Sequence, residues 1–259
     1  MIDTNVSLFR WPFRRLVGDN PVELVARLRK KGVTQAWTAS FEGLFCRDVA
    51  GVNVRLAAAC REHGRNFLVP FGCVNPKLPD WEEDLRRCHQ VHHMPGIRLH
   101  PNYHGYALAD PAFARLIQMA ASRGLLVQIA LSMEDPRTQF PLMQVPPVDI
   151  SPLANLLPQF PKLRLVLLNA GYWGGAVTPH IQKIKEAGNV CFDIAMNEGV
   201  GGLERLIGET SSARVLFGSH YPFFYFESAL LKVRSAGLRH NQELAVTEQN
   251  ARQLLNGHS

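Results

Sequence analysis

Short apolar runs alternate with helical stretches eight times along these 259 residues, and that alternation restricts the chain to very few folds. The runs are MIDTNVSL at the start, VTQAWTAS (Val33–Ser40), NFLVPFGCV (Asn66–Val74), IRLH (Ile97–His100), Leu125–Leu131, Leu163–Leu168, Asn189–Ile194 and the strand inside RVLFGSHYPF (Arg214–Phe223). Several have no polar face, as expected of parallel strands buried on both sides. Helix starts are marked by Asn20 before Pro21, Asp110 before Pro111 and Ser151 before Pro152, and stops by Gly32, Gly64 and Gly124. A doubly wound open sheet shares this periodicity, but no G-x-G-x-x-G follows the first strand. The length suits one barrel of about 250 residues. The expectation is therefore an α/β protein with a single (β/α)8 TIM-barrel domain over residues 1–259, closed by an unbroken final helix over 240–255.

Composition narrows the partners. Apolar residues make up 46% of the chain and charged residues 19%, the balance of a soluble protein with a large core. Every apolar run falls short of about 18 residues, so no membrane span is expected. Five cysteines (Cys46, Cys60, Cys73, Cys88 and Cys191) form no C-x-x-C pair, and the chain opens on a strand rather than a charged leader. Both features point to reduced thiols in a cytoplasmic protein. The net charge of +6 suits an anionic partner. Lys and Arg are scattered except in FRWPFRR (Phe9–Arg15), which reads better as a loop folded over the barrel mouth than as a surface for bases, so nucleic acid is not expected. The expected partner is a small anionic molecule, and homo-oligomerisation stays open.

Polar residues released at the end of a buried strand are where α/β folds keep their chemistry. After Val215–Phe217 the chain delivers Ser219, His220 and Tyr221, and His220 can serve as a general base near neutral pH. Arg98 and His100 alternate in IRLH and share one strand face; turned inward, both reach the mouth. Arg98 then suits either a bidentate grip on a carboxylate or a salt bridge inside the barrel. His89 and His93 of CHQVHH share a helix face but precede the fourth strand, toward the wrong end of a barrel. Asp193 reads as a structural partner. No G-x-S-x-G elbow or Gly-rich phosphate cradle is present, which removes support for serine hydrolysis and P-loop chemistry. The segment Ser132–Asp149 is too long for a routine connection and is a candidate lid.

In chain order, MIDTNVSL, GIRLHP (Gly96–Pro101), NVCFDI (Asn189–Ile194), FGSHYPF and NARQLL (Asn250–Leu255) resemble the amidohydrolase-related branch of the amidohydrolase superfamily. The resemblance spans nearly the whole chain and implies a (β/α)8 barrel with metal-dependent hydrolase or decarboxylase chemistry. It also implies metal ligands at Asn5, Ser7, Ala130, Asn169 and His220, and none of these is the residue the family places there. Zinc prefers Cys sulfur, His nitrogen or carboxylate oxygen. The expectation is therefore no cofactor. A divalent metal such as zinc, held by His220 and His100 with Glu134 or Asp135, is disfavoured. The leading reading is a hydrolase of a small carboxylated, lactone or amide substrate working without the family's metal, with His220 as base and Arg98 or His100 orienting the substrate. Asn5 and Asn169 would donate N–H groups to a developing oxyanion. Ser7, Arg10, Tyr172, Trp173 and Tyr221 would complete the pocket. Two alternatives stay open: a catalytically silent barrel that binds a small ligand or protein partner, and a metal-dependent hydrolase or decarboxylase with rearranged ligands.

Overall fold

Each apolar run pairs with the next one along the chain, so sheet order follows sequence order. A computed structural model describes residues 1–171 and 178–257. In it β1 (Ile2–Leu8), β2 (Gln35–Ser40), β3 (Leu68–Cys73), β4 (Gly96–Leu99), β5 (Leu126–Ala130), β6 (Arg164–Leu168), β7 (Asn189–Asp193) and β8 (Val215–Leu216) form one sheet in that order. Every neighbouring pair is parallel. The chain beyond β8 then runs along β1: Thr4 N–H donates to Phe217 O (2.9 Å) and Ser7 N–H to Tyr221 O (3.0 Å). These bonds bring the sheet back to its first strand, and the fold is the expected (β/α)8 TIM barrel.

Helices cover the outside because strand residues of one parity face outward. Leu165, Leu167, Val190, Phe192, Val215 and Phe217 join the main core with the surrounding helices. Residues of the other parity (Trp37, Phe71, Leu126, Val166, Cys191 and Leu216) form an inner core that Ala251 and Leu254 of the last helix close from below. β1 obeys this rule only through an irregularity. Its register with β2 shifts between Asp3 and Val6, so Ile2 joins the inner core while Asn5 and Ser7 also face inward. The first surrounding helix, Pro21–Lys30, starts where Asn20 predicts, its side-chain oxygen accepting from Val22 N–H at 2.9 Å.

The last helix departs from expectation. It is interrupted into His240–Leu244, a wide turn at Ala245–Gln249, and Asn250–Asn256. The cause is tertiary: Val246 O accepts from Phe217 N–H (2.8 Å), and Asn250 Nδ2 donates to Ser212 O (2.7 Å) and Val215 O (2.8 Å). A carbonyl diverted to the edge of β8 cannot hold a regular helical bond, and the turn widens around it. Among the described residues no helix is long and apolar enough to cross a membrane.

Candidate functional site

Strand parity carries a polar column up the barrel axis toward the C-terminal ends of the strands. Asn5 gives both amide hydrogens away, to Asn169 Oδ1 and Asp193 Oδ2, each at 2.7 Å. Asn169 donates its backbone N–H to Asp193 Oδ1 (2.7 Å) and its amide to Ser132 O (2.6 Å). It does so from a left-handed backbone (φ 58°), a conformation Asn tolerates. The two amides expected to polarise a substrate are therefore bonded to each other and to Asp193. Burial raises Asp193 to a pKa of about 6, against the lowering effect of those hydrogen bonds. Asp3 is raised further, to about 7, again chiefly by burial, although it accepts Ser219 N–H, Ser219 Oγ–H and Asn5 N–H.

Arg98 lies in this column, and its donors are already engaged. Nε donates to Gln128 Oε1 (2.8 Å), Nη1 to Val6 O (3.0 Å) and more weakly to Asn5 Oδ1 and Ser7 Oγ, and Nη2 to Thr4 O (3.3 Å) and Trp37 O (3.2 Å). At 2% exposure no edge of the guanidinium is left for a carboxylate ligand. Of the two roles the sequence leaves open, the contacts match an internal tie, although to amides and carbonyls rather than to one carboxylate. Burial lowers its pKa to about 10, which still leaves a cation at neutral pH.

His220 follows Gly218 and Ser219 at the mouth, also with a left-handed backbone (φ 56°). Nε2 lies 2.7 Å from Met133 O, so that nitrogen carries the proton and Nδ1 presents a bare lone pair, buried without a partner. The ring stacks on Phe223 at 5.0 Å. Burial depresses its pKa to about 4, so the imidazole stays neutral at physiological pH. His100 is equally buried and neither ring nitrogen has a partner among the described residues; burial, His104 and Arg98 hold it well below the ordinary histidine range.

Beside His100 the structure assembles residues that sequence reasoning passed over. Cys73 ends β3 on the face of Phe71, and His104 ends the short helix Pro101–His104 that follows β4. One ligand-capable atom from each of Cys73, His100 and His104 lies within 4.8 Å of the others. His104 Nε2 donates to Gly43 O at 2.8 Å, which leaves its Nδ1 bare, and the Cys73 thiol donates to the same carbonyl at 3.2 Å. Composition marks Cys73 only as one of five reduced thiols; the alternation Phe71–Cys73 beside Arg98–His100 is the available signal. Glu134 instead pairs with Arg14 (3.5 Å) and Asp135 with Arg137, and neither joins a metal-capable group among the described residues.

The mouth is roofed by aromatic rings. Trp11, from the loop after β1, meets Phe13, Phe41, Phe45, Tyr103 and Phe223 edge-on at centroid distances of 4.8–6.4 Å. Phe13 also stacks on Phe140 of the Ser132–Asp149 loop at 5.3 Å, joining the two loops. Open space lies beside this roof: a cleft of about 590 Å³ lined by Arg14, Arg27, Lys31, Tyr221 and Phe223 among others. Arg14 sits over the Phe223 ring at 5.1 Å. Tyr221 packs under the loop at Gly18, where a Cβ would come 2.5 Å from its hydroxyl. Arg10 points away, its side chain 74% exposed and 3.9 Å from Asp19. Tyr172 and Trp173 lie outside the described residues.

The family described as amidohydrolase matches residues 13–257. No curated protein matches the chain. Among solved structures, a 2,6-dihydroxybenzoate decarboxylase complexed with 2,6-dihydroxybenzoate superposes with a TM-score of 0.75 at 14% identity, covering 98% of this chain and 99% of that one. A 5-carboxyvanillate decarboxylase from Sphingomonas paucimobilis gives 0.75 at 14% identity, covering 98% of each chain. A 5-carboxyvanillate decarboxylase from Novosphingobium aromaticivorans, a D314N mutant with bound manganese and 3-methoxy-4-hydroxy-5-nitrobenzoic acid, gives 0.73 at 13% identity, covering 98% and 96%.

Proposed function

Because this chain belongs to the amidohydrolase family, we propose that it is an enzyme of the hydrolase or decarboxylase type acting on a small hydroxylated aromatic carboxylate at the C-terminal mouth of its barrel. The observation that carries this reading is the pairing of an aromatic roof with bare imidazole acceptors beneath it. Rings around Trp11 offer edges and faces to a planar ligand, and His220 Nδ1 waits for a donor. A buried acceptor left unpaired costs about 1–3 kcal/mol, which a substrate hydroxyl would recover on binding. Arg14, at the rim, supplies a cation for the carboxylate. The relatives named for dihydroxybenzoate and carboxyvanillate support the same substrate class.

The residues at the family's metal positions do not fit a divalent cation. The amides of Asn5 and Asn169 bind each other and Asp193, Ala130 has no ligand atom, and His220 Nε2 is tied to Met133 O. The Arg98 guanidinium sits 3.4 Å from Asn5 Oδ1 and 3.5 Å from Ser7 Oγ, so a cation already stands against those two oxygens. If a metal takes part, its ligands are other than the family's, and the Cys73–His100–His104 group favours that form of the reading. Within the chain's own residues, Met133 O fixes the His220 tautomer, Phe223 fixes its plane, and Nδ1 accepts the substrate proton.

The test is turnover. Carbon dioxide release from 2,6-dihydroxybenzoate and 5-carboxyvanillate, and hydrolysis of aryl lactones and esters, should be followed for wild type and His220→Asn. The expected result is activity on one of these classes that falls at least a hundredfold in the variant. Thermal stabilisation by these acids with turnover of none would make the barrel a receptor and sink the enzymatic reading.

A further inference from the structure

Three buried polar atoms without partners belong to neighbouring rings: Nδ1 of His100, Nδ1 of His104 and the hydroxyl of Tyr106. His104 packs against both other rings, its centroid 6.0 Å from His100 and 6.4 Å from Tyr106. The Cys73 thiol completes the group, within 4.8 Å of a ligand atom on each histidine. Orphans of this kind are rare in folded proteins, and several together indicate a missing common partner. The backbone is shaped around the cluster. Gly43 offers its carbonyl to both Cys73 and His104, and a Cβ at that position would come 2.9 Å from the Cys73 sulfur. His104 gives its Nε2–H to that carbonyl, which leaves its Nδ1 lone pair bare, and a backbone carbonyl in that role is a common support for a metal-binding imidazole.

We infer that Cys73, His100 and His104 form a zinc-type metal site, displaced from the family's metal positions to the ends of β3 and β4. One thiolate and two neutral imidazoles are a borderline-soft donor set that selects zinc or cobalt over magnesium, calcium or manganese. Three protein ligands would leave a fourth tetrahedral position open, as catalytic zinc sites do. Binding breaks the Cys73 S–H bond, forms the metal–sulfur bond and releases the proton to solvent, while both imidazoles bind as they stand. Arg98 spends its donors on Gln128 and on the carbonyls of Val6, Thr4 and Trp37, so it makes no hydrogen bond to these atoms. As the metal of the proposed enzyme this site rests on that reading; as a binding site it is tested without any substrate.

The chelator-treated full chain should be titrated with cobalt. One equivalent is expected to bind and to develop the near-ultraviolet thiolate-to-cobalt absorption, which Cys73→Ser abolishes and Cys191→Ser retains. His104→Gln should weaken binding at least tenfold. If Cys73→Ser fails to fold, X-ray absorption on the zinc-loaded wild type decides: one sulfur at about 2.3 Å with nitrogen at about 2.0–2.1 Å is expected. No binding, a sulfur-free shell, or a charge-transfer band that survives Cys73→Ser would overturn the site. A sulfur-bound metal with no turnover of any aromatic acid upholds the site and counts against the proposed reaction. Turnover in metal-free protein that also fails to take up cobalt upholds the proposed reaction and overturns the site.

Discussion

Asp3 holds its proton to about pH 7 in the folded chain, whereas an unfolded aspartate loses it near 3.8. Between those values the native state binds more protons than the unfolded state, so the stability contributed by Asp3 is fully present below about pH 4 and disappears as pH rises through 7. Buried His100 and His220 act with the opposite sign, losing stability as pH falls below the ordinary histidine value. Comparison with Asp3→Asn isolates the first effect. Urea unfolding from pH 5 to pH 8 should show the variant gaining on wild type as pH rises; a constant difference would refute the shift. Arg98 sets a second residue-scale test. Arg98→Met leaves Gln128 Oε1 and the carbonyls of Val6 and Trp37 without this donor and removes the cation near Asp3 and Asp193. A loss on the order of 3 kcal/mol or more is expected in equilibrium unfolding. Strand parity made the inward position of Arg98 and His100 legible in IRLH. The sequence could not show that every Arg98 donor would meet a protein acceptor, because those acceptors come from β1, β2 and β5.

At the scale of elements, the narrowest joint is the passage from β8 to β1. Two residues of β8 pair with β7, and the next five must bend inward to reach β1. Gly218 permits this: a Cβ there would lie 2.7 Å from Asp193 Oδ2 and 3.1 Å from Asn5 Cβ. Gly218→Ala should therefore cost about 1–3 kcal/mol by overpacking, read as a lowered midpoint in thermal unfolding. Every strand of the barrel was legible from apolar periodicity, with ends misplaced by a residue or two, since fraying depends on neighbours. The unbroken final helix was not: its sequence is regular, and the interruption comes from Phe217, remote in the chain. In the same way Cys73 and His104 are far apart in sequence, and only β3–β4 pairing brings them together.

The whole molecule presents a barrel closed at both ends, by Ala251 and Leu254 below and by the aromatic roof above, with a basic cleft at the upper rim. With 28 Lys and Arg against 22 Asp and Glu, the chain attracts small anions generally, but a general field and a specific site respond differently to salt. At 0.1 M ionic strength the Debye length is about 10 Å, so distant surface charges are screened while Arg14, over Phe223 and beside buried Glu134, keeps part of its effect. Thermal unfolding with 2,6-dihydroxybenzoate should therefore show stabilisation that shrinks with added salt yet persists, approaching about 2.7 kcal/mol when ligand reaches a hundred times Kd. Arg14→Gln should lower the affinity and flatten the salt dependence together. Charge removal at Arg10, which faces solvent away from the roof, should leave both nearly unchanged. If Arg10→Gln and Arg14→Gln behave alike, the carboxylate is held by the overall field rather than at the rim, and the cleft is not the path to the site.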